Sequence, residues 1–406
     1  MADKKSSFAA LAKSELSPQE KLMKVKKGDH SFFIGLPKEI AYQENRISLT
    51  PDAVALLINR GHDVWVESKA GDGSKFSDKQ YSEAGAKIVY SPQEVYKADI
   101  ILKIEPPTVE ELEHFRPGQT LISALQLGHT DPAFISALLK KRVTALAYEF
   151  IEDKVGGMPI IRALSEIAGN AVVSIAAQFL SNIDKGKGII LGGITGVPPT
   201  RIVIIGAGTV AENAARAALA MGAEVRVFDN HLYKLRRLKH LLGQQIYTST
   251  IDTYTLTQAL KSADVVVGAL RAEKGRVRHV VSEDMVQGMK DNSLIIDLSI
   301  DQGGCIATSE TTNHNKPTFK KYGVIHYCVP NIASRVAHTA TTALSNIFTP
   351  TILRAAEEGG VEEMIFSHKW FMKGVYAYKG GLTNEFLARK FGLKYKNIEL
   401  LMAARF

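Results

Sequence analysis

The sequence predicts an α/β fold of two doubly wound parallel-sheet domains, the first discontinuous, joined by long helices. Two observations carry that prediction. From Ser31 to about Tyr148 short apolar runs alternate with helical segments, the pattern of strands covered on both faces. Farther on, residues 201–229 read RIVIIGAGTVAENAARAALAMGAEVRVFD: strand, glycine turn, helix, and a second strand ending in an acid. That unit makes the expected fold Rossmann-like.

Taken in order, the strands of the first domain are expected at 32–35, 63–67, 87–89, 100–104, 120–123 and 143–147. Thr50-Pro51 places a cap and an N1 proline before DAVALLINRG, and Ser91-Pro92-Gln93-Glu94 has the spacing of a capping box. A long apolar helix, about 160–180, leads through a glycine-rich segment, 186–196, into the glycine-turn unit. Further strands of that unit are expected near 245–248, 264–268 and 293–298. After Asn331 a helical pattern over 337–357 crosses back, so that the C-terminus completes the first domain. The expected division is a basic tail, 1–30, a catalytic domain, 31–160 plus 337–406, and a dinucleotide-binding domain, 161–336.

At 406 residues the chain is long enough for two cores, and 45% hydrophobic with 23% charged residues is ordinary for a globular protein. It has no run of about 18 apolar residues, so no membrane span is expected. Seven lysines make the first 30 residues basic, and these lack the apolar stretch of a signal peptide, so secretion is not expected. Cys305 and Cys328 lack metal-ligand spacing and read as reduced core thiols, which predicts a cytoplasmic protein with no metal. The net charge of +8 comes with no nucleic-acid motif, so no nucleic-acid partner is expected.

The glycine turn carries the cofactor expectation. Gly206 and Gly208 permit a tight turn and close approach of backbone to a pyrophosphate, which the start of the next helix, Thr209 and Val210, would face. Ala211 replaces the third glycine, adding one methyl at the helix–strand contact. Asp229 follows about 20 residues on, where a carboxylate would accept hydrogen bonds from a ribose and repel a 2′-phosphate. NAD is therefore expected over NADP; the competing reading is an ordinary βαβ turn.

Long words along the chain fix the reading further: GLPKEI at 35–40, ENRISLTP at 44–51, RGHDVWVESKAG at 60–71, AYE at 147–149, SEIAG at 165–169, LGGITGVPP at 191–199, IDQGGC at 300–305 and HYCVPNI at 326–332. In these the sequence resembles the alanine dehydrogenase and transhydrogenase α-subunit family, and more closely its alanine dehydrogenases. The resemblance implies a two-domain, NAD-linked homo-oligomer, often a hexamer, that converts alanine and water to pyruvate and ammonium. It also implies cofactor contacts from Ser165, Gly206, Gly208, Thr209, Val210, Asp229, Lys234, Leu270, Leu298, Asp301 and Asn331.

Such chemistry needs a cation for the substrate carboxylate, a group that handles protons, and a closed cleft. By resemblance Arg46 is the carboxylate-binding arginine, Asp301 the active-site aspartate, and Asn331 a further contact at the substrate and the nicotinamide end. Two positions depart from the family. Glu105 stands where it has a substrate-binding lysine, and Gln126 where it has an acid/base histidine. Glu for Lys inverts a charge beside an anionic substrate, and Gln does not titrate near neutral pH. His129 as acid/base, Arg162 as replacement cation, or Glu105 as partner of a cationic substrate group would compensate. The basic loop after Leu270, with Lys274, Arg276, Arg278 and His279, reads as solvated charge or as a cofactor-side patch. The expected function is an NAD-dependent amino-acid dehydrogenase with a small amino-acid or 2-oxo-acid substrate. The alternatives are a catalytically degenerate dinucleotide-binding sensor or assembly subunit, and a hydride carrier of the transhydrogenase type.

Overall fold

The computed structural model describes residues 30–128, 130–271 and 277–403. In chain order the strands are β1 Phe33–Leu36, β2 Asp63–Glu67, β3 Lys87–Val89, β4 Ile100–Leu102, β5 Thr120–Ser123, β6 Thr144–Ala147, β7 Arg201–Ile205, β8 Glu224–Phe228, β9 Tyr247–Ser249, β10 Val265–Gly268, β11 Leu294–Asp297, β12 Thr318–Lys321, β13 Val324–Tyr327, β14 Val375–Tyr378 and β15 Gly381–Leu382. They form two sheets, ordered β15-β14-β6-β5-β4-β1-β2-β3 and β12-β13-β11-β10-β7-β8-β9. Pairing is parallel except at one edge of each sheet, where β6/β14, β14/β15 and β12/β13 run antiparallel.

Central strands such as β6, β10 and β11 are buried along their whole length, as strands covered on both faces must be. The Ala337–Glu357 helix returns the chain to the first sheet, packing Leu344, Phe348 and Ile352 into the core that holds Ile34, Leu36 and Val64. The Pro159–Leu180 helix links the two sheets, with Ile160 in the first core and Val172, Ile175 and Phe179 in the second. It is long and apolar enough to cross a membrane, with a mean hydropathy of 1.4, although Arg162 and Glu166 interrupt its apolar run. Its buried face, with Ala168, Val172, Ile175, Ala176, Phe179 and Leu180, packs into the second core. A Cβ added at Gly169 would stand 2.5 Å from the Val210 carbonyl oxygen, so here the helix lies against the one that follows the glycine turn.

Two local expectations are corrected. Thr50 caps the Pro51–Asn59 helix by accepting from Ala53 N, as expected, but Ser91 makes no side-chain cap to its helix. Instead the Glu94 carboxylate accepts from both Tyr90 N and the Ser91 hydroxyl. The strand expected at 100–104 stops at Leu102, because the Ile104 and Glu105 amides turn to the Glu39 carboxylate at 2.6 and 3.4 Å.

Candidate active site

The glycine turn leaves β7 at Ile205. Gly206 has φ 113°, and a Cβ there would stand 2.4 Å from the Ala269 carbonyl oxygen, so only glycine fits. Gly208 precedes the Thr209–Ala220 helix, whose start no side chain caps, and a Cβ at Gly208 would meet no atom within 4 Å. An uncapped helix start beside open space suits a pyrophosphate. Asp229, buried at the end of β8, accepts from Ala207 N through Oδ2 and from His231 N through Oδ1, both at 2.8 Å. The carboxylate thereby braces the turn.

Around the turn, Ser165 is half-buried about one helical turn before Gly169, and Leu270 and Leu298 are half-buried just beyond β10 and β11. Lys234, on the Leu232–Leu242 helix, lies 6.0 Å from the ring centre of Tyr233. The open side of Gly208, the free helix start and Asp229 fit NAD.

On the other side of the cleft four sequence-derived residues come together around one that sequence reasoning missed, Glu44. Arg46, 5% exposed, meets Glu44 bidentately, Nε to Oε1 at 2.8 Å and Nη2 to Oε2 at 2.6 Å. Asn331, which follows β13 of the second sheet, donates to the same Oε2 at 2.6 Å. Glu105 Oε1 stands 3.5 Å from Arg46 Nη2, and the Gln126 amide donates to Glu105 Oε2. Gln126 is itself held by Glu149, whose Oε1 accepts from Leu125 N at 2.8 Å and Gln126 N at 3.0 Å.

The electrostatics follow from these contacts. Burial works against the Arg46 charge, but the Glu44 carboxylate outweighs it and holds the guanidinium firmly protonated. Burial would also raise Glu44, yet Arg46 prevails and keeps its pKa below the usual carboxylate range. Glu105 is pushed up to about 7, chiefly by burial; Arg46 opposes the shift, and the Glu44 and Glu39 carboxylates add to it. Burial raises Glu149 as well, against its backbone donors, and its Oε2 is buried without a partner among the described residues. Lys103, although close in sequence to Glu105, is 1% exposed and already paired with Glu111 at 2.8 Å and Glu39 at 3.3 Å. It is no replacement for the missing lysine.

Asp301 lies in the short Ile300–Gln302 turn after β11 and is exposed. Its carbonyl oxygen is 3.9 Å from where a Cβ on Gly128 would be, so this turn faces the loop that carries Gln126. Beneath it Asp297 accepts from Ser299 N, Cys305 N and Ser309 Oγ at 3.0, 3.0 and 2.8 Å, which fixes the turn to the strand end. Arg162 is 66% exposed and paired with Glu166 at 3.7 Å. His129, Lys274, Arg276 and the tail 1–29 lie outside the described residues. Cys305 and Cys328 are free, buried thiols. A cavity of about 270 Å³ adjoins Gln126, lined by Pro106, Pro107, Val109, Leu125, Phe134 and others.

Glu44 had a signal, an acid two positions before the arginine, but such spacing reads equally well as surface charge. Glu149 sat within the AYE word with no role attached. The Glu149 bond to Gln126 spans 23 positions and the Glu44 bond to Asn331 spans 287.

Comparison with known proteins shows the family and the fold. The family model described as Alanine dehydrogenase/PNT, N-terminal domain, matches residues 35–168, and Alanine dehydrogenase/PNT, C-terminal domain, matches 172–385. The chain is 38% identical over 368 residues to an alanine dehydrogenase of Methanococcus maripaludis, covering 90% of this chain and 98% of that one. It is 37% identical over 367 residues to alanine dehydrogenase 2 of Staphylococcus aureus, with the same coverage of 90% and 98%. A solved L-alanine dehydrogenase superposes with TM-score 0.83 at 33% identity, over 88% of this chain and 99% of that one. The transhydrogenase of Sinorhizobium meliloti shares the fold, with TM-score 0.75 at 22% identity over 87% and 99%. With both domains matched in order and full-length relatives above a third identical, the chain belongs to the alanine dehydrogenase/PNT family.

Proposed function

We propose that the protein is an NAD-dependent oxidoreductase acting on the CH–NH₂ group of a small amino acid, of the type L-alanine, NAD and water to pyruvate, ammonium and NADH. The observation that carries this reading is the glycine turn, open at Gly208 and braced by Asp229. NAD, when bound, supplies the hydride acceptor. Gly206, Gly208, Thr209 and Val210 would hold its pyrophosphate and Asp229 its ribose, with Ser165, Lys234, Leu270, Leu298 and Asn331 around it. Arg46 offers the charge for the substrate carboxylate. Asp301, on a rigid turn facing the Gln126 loop, orients the reacting amine or carbonyl. Gln126 holds Glu105 through its amide and moves no proton.

The test is an NAD-reduction screen over amino acids, with pyruvate plus ammonium in reverse. Turnover is expected, and Asp301→Ala should lower it by about 10²-fold or more while NAD still binds. A protein that binds NAD and turns over no amino acid would leave the second reading, a catalytically silent sensor or assembly subunit, which the carboxylate beside Arg46 favours. The family resemblance also supports a homo-oligomeric, cytoplasmic enzyme. Light scattering checks the oligomer.

A further inference from the structure

We propose that the site admits a substrate carboxylate only when Glu105 carries a proton, so that binding an anionic 2-oxo acid takes up one proton at that side chain. This rests on the amino-acid dehydrogenase reading and adds its gating. Arg46 is the cation on which the site's acids gather, and Glu44 and Glu105 already flank its Nη2 at 2.6 and 3.5 Å. With both acids ionised the trio carries one net negative charge, and an arriving carboxylate would be the third anion on one guanidinium. Coulomb repulsion at such distances is worth several kcal/mol even at an effective dielectric near 20. With Glu105 neutral the trio carries no net charge. The bonds to the two acids engage Nε and Nη2, not Nη1, so the guanidinium keeps donors for a newcomer.

Every charged neighbour of Glu105 supports protonation or is already matched. Glu39, beyond β1, accepts from the Glu105 amide and is an acid itself; Lys103 is shared by Glu39 and Glu111. Tyr148 donates to Ile104 O and stays neutral, since burial lifts its phenol far above the ordinary range. Glu149 lies behind Gln126 and is raised by burial. From the second unit, His314 acts on Glu44, and burial lowers its pKa so that it adds no charge at neutral pH. The pKa of about 7 at Glu105 places the transition in the working range. The proton comes from solvent and no covalent bond changes.

The experiment is calorimetric titration of pyruvate into the NADH-saturated protein from pH 6 to 9, in buffers of different ionisation heat. Expected are uptake of about one proton at pH 8 and an apparent Kd that rises about tenfold per pH unit above 7. Glu105→Gln should bind pyruvate with an affinity independent of pH, without proton uptake and with unchanged NADH affinity. An affinity flat from pH 6 to 9 in the unmodified protein overturns the inference, as does the same pH dependence in Glu105→Gln or no pyruvate binding at any pH. The dehydrogenase reading is judged separately, by NADH consumption with pyruvate and ammonium at pH 6. Turnover with a KM constant across pH would sink the gate and leave that reading standing.

Discussion

Glu44 and Glu105 converge on one nitrogen, Nη2 of Arg46, at 2.6 and 3.5 Å, and they are unequal partners. Glu44 takes the guanidinium side-on through two bonds, with Asn331 as an additional donor; Glu105 has one long contact to it and the Gln126 amide. The acid with the stronger donors stays charged, and burial pushes the pKa of the other up to about 7.

That inequality predicts a pH-dependent stability. Glu105 has a folded pKa of about 7 against an ordinary 4.5, so its ionised form destabilises the fold. Its contribution is most favourable below pH 4.5 and is lost as pH rises towards 7, on the order of 3 kcal/mol in all. Glu105→Gln should therefore raise stability in urea much more at pH 8 than at pH 5. An equal gain at both would refute the assignment.

Restoring the family pattern should speed alanine oxidation. Glu105→Lys combined with Gln126→His is expected to raise kcat/KM for L-alanine by about tenfold or more, since it removes an anion beside the substrate carboxylate and adds a titratable group. Initial rates of NADH formation measure it. A double variant no faster than the parent would mean that these positions do not face the substrate.

Asp229 has two duties that substitution separates. Asp229→Ala frees Ala207 N, so it should weaken NAD binding by about tenfold and narrow the preference over NADP. Asp229→Asn keeps an acceptor for that amide and should narrow the preference with a smaller loss of affinity. Calorimetric titration of both cofactors distinguishes them, and undiminished NAD preference in both variants would exclude a ribose contact.

Gly169→Val tests the helix crossing. With Val210 O 2.5 Å from the new Cβ and Asn213 Cβ at 2.8 Å, backbone must move, at about 1–3 kcal/mol. Thermal unfolding should occur at lower temperature, with weaker NAD binding because the same helix carries Ser165. An unchanged Tm would refute the close packing.

Much of the fold was legible because its central strands are uninterrupted apolar runs: β10 and β11 were located to within a residue, and the Ala337–Glu357 helix to the residue. The edges were not. β12 reads TFKK and β15 is two residues long, and strands exposed at an edge carry no apolar signature. At the site, Arg46, Glu105, Gln126 and Asn331 were found through sequence words, whereas Glu44 was missed. Its bond to Asn331 spans 287 positions, and no periodicity reports such a contact.

Asn331 has φ 55°, in the left-handed region, where the chain leaves the second sheet and starts back towards the first. Its amide ends on Glu44, so the two halves of the molecule meet at an ion-paired oxygen. Any opening that parts them must hand that oxygen to Arg46 alone or to water, and the electrical state of one half thus registers the position of the other.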